Sequence, residues 1–104
     1  MEPIYSLRAL MEMDGIANYI QQDSPRAALR FLDAIEKTCE LLLTFPEMGA
    51  LVETDEPDLE GFRHFLVSGY DKYVIVYRIR AGKIRIERVV HGSRDYPNLL
   101  KEGL

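Results

Sequence analysis

The chain has 104 residues, 47% of them hydrophobic, and a formal net charge of −4. That length supports one domain spanning 1–104 with a thin core and leaves no room for a second. No apolar run approaches the ~20 residues that cross a bilayer, and Met1-Glu2-Pro3 has neither the basic nor the apolar character of a secretory leader, so a cytoplasmic protein without membrane contact is expected.

Pro3 to Tyr5 reads as a short edge strand, where proline is tolerated. Ser6 is placed to cap a helix from Leu7 to about Gln21, whose apolar residues Ala9, Met13, Ile16, Ala17 and Ile20 recur at helical spacing. Asp23-Ser24-Pro25 ends that helix and starts another, because serine caps and proline fits the first helical position. Ala28, Phe31, Leu32, Ile35, Cys39 and Leu42 form the apolar face of this second helix, which Phe45-Pro46 stops near Thr44. So short a connection predicts an antiparallel helical hairpin. Cys39, the one cysteine, is expected as a small core residue. Residues 47–61 read as a loop with a turn at Met48-Gly49 and an acidic run, Glu53, Asp55, Glu56, Asp58 and Glu60. The run lacks the glycine-punctuated spacing of a calcium loop and is expected to be solvated; no metal site is expected.

Arg63 to Val67 is a weak strand, followed by a break at Ser68-Gly69. Tyr73 to Arg80 and Ile84 to His91 flank Ala81-Gly82, a strong hairpin signal. Strict alternation places Ile84, Ile86, Arg88 and Val90 on one face and Arg85, Glu87, Val89 and His91 on the other, so Arg85 and Arg88 should point apart. Tyr70, Tyr73 and Tyr77 could stack bases, but core roles with the hydroxyls reaching water are the expectation. Tyr96-Pro97 ends the sheet, and Leu99 and Leu100 lie in a tail able to dock. The resulting order, β-α-α-β-β-β, predicts an α+β fold with a helical hairpin packed on a small antiparallel sheet.

Charge divides along the chain. Residues 1–61 hold 4 Lys/Arg and 13 Asp/Glu (net −9); residues 62–104 hold 9 and 4 (net +5). The sheet half therefore offers a basic surface to an anionic partner, unless the two halves simply neutralise each other. No P-loop, dinucleotide turn or Ser/His/Asp order is present, and two histidines with one cysteine show no zinc spacing.

Ala9 with Glu12-Met13, Ile16 and Tyr19-Ile20, then Asp23-Ser24-Pro25 and Ala28, form the first part of a pattern. Leu42 with Pro46 and Gly49, Arg63, Tyr73 with Val76-Tyr77-Arg78, Ile86, Arg88-Val89, His91-Gly92 and Arg94-Asp95 complete it. In order and spacing the chain resembles the ParE branch of the RelE/ParE toxins of toxin–antitoxin modules, the so-called plasmid-stabilisation proteins. The resemblance implies the β-α-α-β-β-β fold, an operon-paired antitoxin of the ParD type that wraps and blocks the toxin, and DNA gyrase as a target poisoned by binding. On that reading there is no catalytic residue and no cofactor, and the contact is with protein rather than directly with nucleic acid. Arg63, Arg78, Arg80, Arg85, Arg88 and Arg94 are the residues expected to contact antitoxin or target.

The sister RelE branch cleaves mRNA on the ribosome. Its pattern carries an arginine where this chain has Val74 or Ile75, and lysines in the strand that here reads Arg63-His64-Phe65-Leu66-Val67. If the chain is a nuclease, His91, Arg94 and Tyr96 are the acid/base candidates; otherwise His91 hydrogen-bonds the chain as it leaves the sheet. A toxin-fold protein without activity is the third reading.

Overall fold

The computed structural model describes residues 2–93. Its elements are β1 (Ile4–Tyr5), α1 (Leu7–Gln21), α2 (Pro25–Thr44), β2 (Ala50–Leu51), a single 3-10 turn at Pro57–Leu59, β3 (Arg63–Val67), β4 (Tyr70–Arg80) and β5 (Lys83–His91). The five strands form one sheet in the order β1-β5-β4-β3-β2. The architecture is the expected α+β, with two refinements. β2 lies inside the stretch read as loop; two residues are too few to show a period in sequence. β1 joins the sheet parallel to β5, with Ile4 opposite Arg85 and Tyr5 opposite Ile86. No described helix is long and apolar enough to cross a membrane. Arg94, Asp95, Tyr96, Leu99 and Leu100 lie outside the described residues.

Both helices begin as predicted. The hydroxyls of Ser6 and Ser24 accept from the N–H groups of Ala9 (3.0 Å) and Ala27 (3.1 Å), satisfying donors that a helix start leaves open. Phe31, Ile35, Cys39 and Leu42 of α2 and Ala9 of α1 bury against Ile75, Tyr77, Ile84, Ile86 and Val89 of the hairpin. Phe31 meets Tyr70 and Tyr73 edge-on, each ring centroid 5.2 Å away, so these tyrosines are packing residues and not a stacking platform. Cys39 is buried, as expected, and burial pushes its thiol up from the ordinary value of 9.0 despite a hydrogen bond with Tyr5. Burial, then the bond to Cys39, raises the Tyr5 phenol. A second, smaller core of Val52, Leu59, Phe62, Val74 and Val76 fills part of the opposite sheet face beneath the acidic loop.

The β4–β5 connection has Ala81 at φ 53° and Gly82 at φ 74°, both in the left-handed region. Positive φ at both central residues is the turn that matches strand twist, and Arg80 and Lys83 face each other across it. The pairing slips further along. Tyr77 faces Ile86, but Val76 faces Arg88, so Glu87 is one residue in excess on β5. Such a bulge shifts the alternation. Before it, Ile84 and Ile86 point to the helices; after it, Val89 does, opposite Ile75. The strict alternation expected for β5 is therefore corrected: Arg85 faces Arg78 and Arg88 faces Val76, so Arg85 and Arg88 share the face away from the helices.

Tyr77 fastens the chain that leaves α2. Its hydroxyl donates to the Pro46 carbonyl (2.7 Å) and accepts from the Gly49 N–H (2.9 Å). Burial raises this phenol from 10.0, opposed by the Gly49 bond and the charge of Arg63. Arg63 adds two bonds to the same loop, from Nη1 to the carbonyls of Glu47 (3.2 Å) and Gly49 (2.7 Å). A Cβ on Gly49 would sit 2.6 Å from the Tyr77 oxygen and 2.9 Å from the His64 carbonyl.

Gly49→Ala is expected to cost about 2–3 kcal/mol in urea unfolding, through the lost bonds and the clash. Tyr77→Phe, which removes the bonds without adding bulk, is expected to cost about 1–3 kcal/mol. Cys39 and Tyr77 have folded pKa values above their ordinary 9.0 and 10.0. The neutral forms are thus favoured by folding, and that stability is full below those pH values and lost as pH rises through the folded ones. A melting series should fall from about pH 9 upward, and Cys39→Ala should delay the onset toward the tyrosine range.

Candidate functional site

The bulge gathers the charged groups. Ser6 connects to both sides of it: its N–H donates to the Ile86 carbonyl (2.9 Å) and its hydroxyl to the Glu87 carbonyl (2.7 Å). This fixes the start of α1 over β5. The Glu87 side chain, 1% exposed, lies between two arginines, its Oε1 2.9 Å from Arg85 Nε and its Oε2 2.8 Å from Arg78 Nε. The first contact is a hydrogen bond; the second is an ion pair without hydrogen-bond alignment. The Arg78 guanidinium also lies 4.9 Å above the centre of the Phe62 ring, a geometry in which the ring face attracts the cation.

Arg88, one residue on, reaches a different carboxylate. Its Nε lies 3.0 Å from each Glu12 oxygen and its Nη2 2.6 Å from Oε2. Glu12 Oε1 also accepts from the Val89 N–H (3.1 Å), so one carboxylate serves an arginine and the strand backbone together. Arg88 is only 4% exposed. It forms a structural tie between α1 and β5.

An open cleft of about 450 Å³ results, lined by Leu7, Arg8, Met11, Arg78, Arg85 and Glu87 among others. Alternation alone separated Arg85 from Arg88; the bulge puts both in this lining with Arg78. Arg80 is exposed at the hairpin end opposite Lys83. Arg63 is occupied with the loop after α2. Arg94 lies outside the described residues, as does Tyr96 of the nuclease set. His91 packs edge-on against Tyr73, with centroids 5.5 Å apart, and its Nδ1 accepts from the Ser93 N–H (3.1 Å). That is the expected role of bonding the chain as it leaves the sheet, and it puts the proton of a neutral ring on Nε2. His64 is half-buried, opposite Val76 on the next strand. Among the described residues no three His, Cys, Asp or Glu side chains gather as a metal-ligand set.

A second groove opens where α2 ends, lined by Phe45, Pro46, Met48, Ile79 and Gly82. The space between the helices and the centre of the sheet is itself filled core.

Sequence reasoning passed over Arg8, Glu12 and Glu87 as site residues. Glu87 carried a signal: it is the one acidic residue between Lys72 and Arg94. Glu12 occupies a helix position beside the apolar face, the place for an acid that pairs inward.

The fold superimposes on a solved chain titled chromosomal ParDE TA system from P. aeruginosa. The TM-score is 0.69 at 21% identity, covering 88% of this chain and 95% of that one. In sequence the chain is 31% identical over 96 residues to Y4kP of Sinorhizobium fredii (strain NBRC 101917 / NGR234), a protein named as a toxin, covering 92% of this chain and 93% of that one. It is also 31% identical over 91 residues to Toxin RelE2 of Caulobacter vibrioides (strain ATCC 19089 / CIP 103742 / CB 15), covering 88% and 94%. Residues 4–96 match the family described as ParE toxin of type II toxin-antitoxin system, parDE. The class is thus that of type II toxins. Within it, the chain belongs to the ParE toxin family.

Breaking the Arg88–Glu12 pair should be costly, because it takes the facing carboxylate from a buried guanidinium. Glu12→Ala is expected to lose about 3–5 kcal/mol in denaturant unfolding, whereas Lys37→Ala, at the exposed Asp33–Lys37 pair on α2, should change stability by about 0.5 kcal/mol or less.

Proposed function

We propose that this ParE-family chain is the toxin of a type II module, that it inhibits DNA gyrase by binding without chemistry of its own, and that a cognate ParD-type antitoxin neutralises it. Family membership carries the class. The observation favouring binding over catalysis is the separation of cations from acid and base. Phosphodiester cleavage requires cations directed at the scissile phosphate and a nearby acid or base. Here the cleft with Arg8, Arg78, Arg85 and Arg88 holds no histidine among the described residues, while His91 lines a separate groove beside Tyr73 and its Nδ1 accepts from the Ser93 N–H. The exposed basic groups Arg80 and Lys83, at the hairpin tip, are the proposed target contacts.

A second reading is kept because the relative named Toxin RelE2 matches at 31% identity: ribosome-dependent mRNA cleavage, with His91, Arg94 and Tyr96 as the acid/base set. One pair of assays on the purified chain separates the two. Gyrase inhibition with trapped cleavage complexes and intact mRNA is expected; cleaved mRNA with unaffected gyrase would overturn the proposal. Arg80→Glu combined with Lys83→Glu should raise the concentration needed for gyrase inhibition about tenfold or more, equivalent to ~1.4 kcal/mol or more, with an unchanged circular dichroism spectrum. An unchanged inhibition curve in that folded variant would remove the hairpin tip from the target surface.

A further inference from the structure

The cleft at the start of α1 contains more positive charge than its own carboxylate neutralises. Glu87 is shared by Arg78 and Arg85 through their Nε atoms. Arg88 is matched by Glu12. Arg8, which lines the same cleft, is exposed and forms no ion pair among the described residues. Three guanidiniums therefore face one carboxylate once the Arg88–Glu12 pair is set aside. Glu87 occupies the Nε edges of Arg78 and Arg85, and their Nη groups make no other hydrogen bond or ion pair among the described residues. A buried carboxylate holding two arginines from behind pre-orders them, so little side-chain freedom remains to be lost when an anion arrives.

The rim is apolar. Leu7 is 74% exposed and Met11 66%, one helical turn apart on α1 and on either side of Arg8. An anionic group flanked by apolar groups fits this surface better than a polyanion does. The acids Glu53, Asp55, Glu56, Asp58 and Glu60 belong to a loop that covers part of the same sheet face, and residues 1–61 have a net charge of −9. A phosphodiester chain running out of the cleft would meet that field; one carboxylate on an apolar peptide would not.

We propose that this cleft is a docking pocket for a single Asp or Glu side chain of an amphipathic protein segment. The carboxylate binds the Nη groups of Arg8, Arg78 and Arg85, and apolar neighbours in the segment cover Leu7 and Met11. The proposal rests on the reading of the chain as a toxin held by an antitoxin, and it names the chemistry of that contact. Glu87 is a positioning residue here, acting through the two arginines.

The test is calorimetric titration of the purified chain with the purified antitoxin encoded in the same operon. Arg8→Glu is the primary variant, because the exposed side chain has no fold partner to lose; Arg85→Gln is the second, with melting curves checking its fold. About tenfold weaker binding is expected for Arg85→Gln and about tenfold or more for Arg8→Glu. The gap from wild type should narrow in 0.5 M salt, where screening acts within ~4–5 Å. Two folded variants binding within twofold of wild type would overturn the pocket while leaving the toxin–antitoxin reading intact. Failure of the wild-type chain to bind that antitoxin would overturn both. A single-stranded 12-mer DNA that binds wild type and is lost in both variants would reassign the cleft to phosphate and overturn the peptide proposal.

Discussion

The extra residue in β5 governs more of this molecule than any other single feature. Without the bulge at Glu87, alternation would turn Arg88 toward the helices and Val89 away from them. With it, β5 keeps an apolar face on the core along its length and still gathers three arginines on the other side. The carbonyl of the bulged residue accepts from the Ser6 hydroxyl, while its side chain holds Arg78 and Arg85. Helix placement, core register and surface charge thus converge on one backbone irregularity. This is consistent with bulges re-aiming side chains where a surface has a task.

Around that point the fold is tied by bonds from side chain to backbone more than by exposed ion pairs. Glu12 reaches the Val89 N–H, Tyr77 reaches Pro46 and Gly49, Arg63 reaches Glu47 and Gly49, and the Thr38 hydroxyl accepts from the Ser68 N–H (3.0 Å). Each joins a helix or its exit to the sheet. In a domain this small the apolar core is thin, and a buried donor or acceptor left unpaired costs about 1–3 kcal/mol. The ties therefore set how rigidly the helical hairpin sits on the sheet, and with it the shape of the cleft between α1 and β5.

Much of this was legible in the sequence, for identifiable reasons. Ser6, Ser24-Pro25 and Phe45-Pro46 are local signals, and the helices begin and end where those residues place them. The Ala81-Gly82 hairpin is local too. What escaped was not local. β2 exists only because Ala50 and Leu51 find Arg63 and His64. The bulge depends on which residues of β4 face β5, and a single run read by period 2 cannot reveal an inserted residue. The faces of Arg85 and Arg88 follow from that one point: period 2 sets them apart because it treats Glu87 as an ordinary strand residue. The partners of Arg63 and Arg88 within the fold, Gly49 and Glu12, are distant in sequence and give no local signal.

The parallel pairing of β1 with β5 also determines when the molecule can exist. Ser6 waits for Glu87, 81 residues later, which at ~5–20 residues per second takes roughly 4–16 s of synthesis. Until then the helical hairpin has no strand to cap, Arg8 has no Arg85 beside it, and Glu12 has no Arg88. Such late, long-range closure slows folding relative to local contacts. A nascent chain that has not reached Glu87 therefore lacks the arginine cleft, and with it the surface proposed to receive the antitoxin.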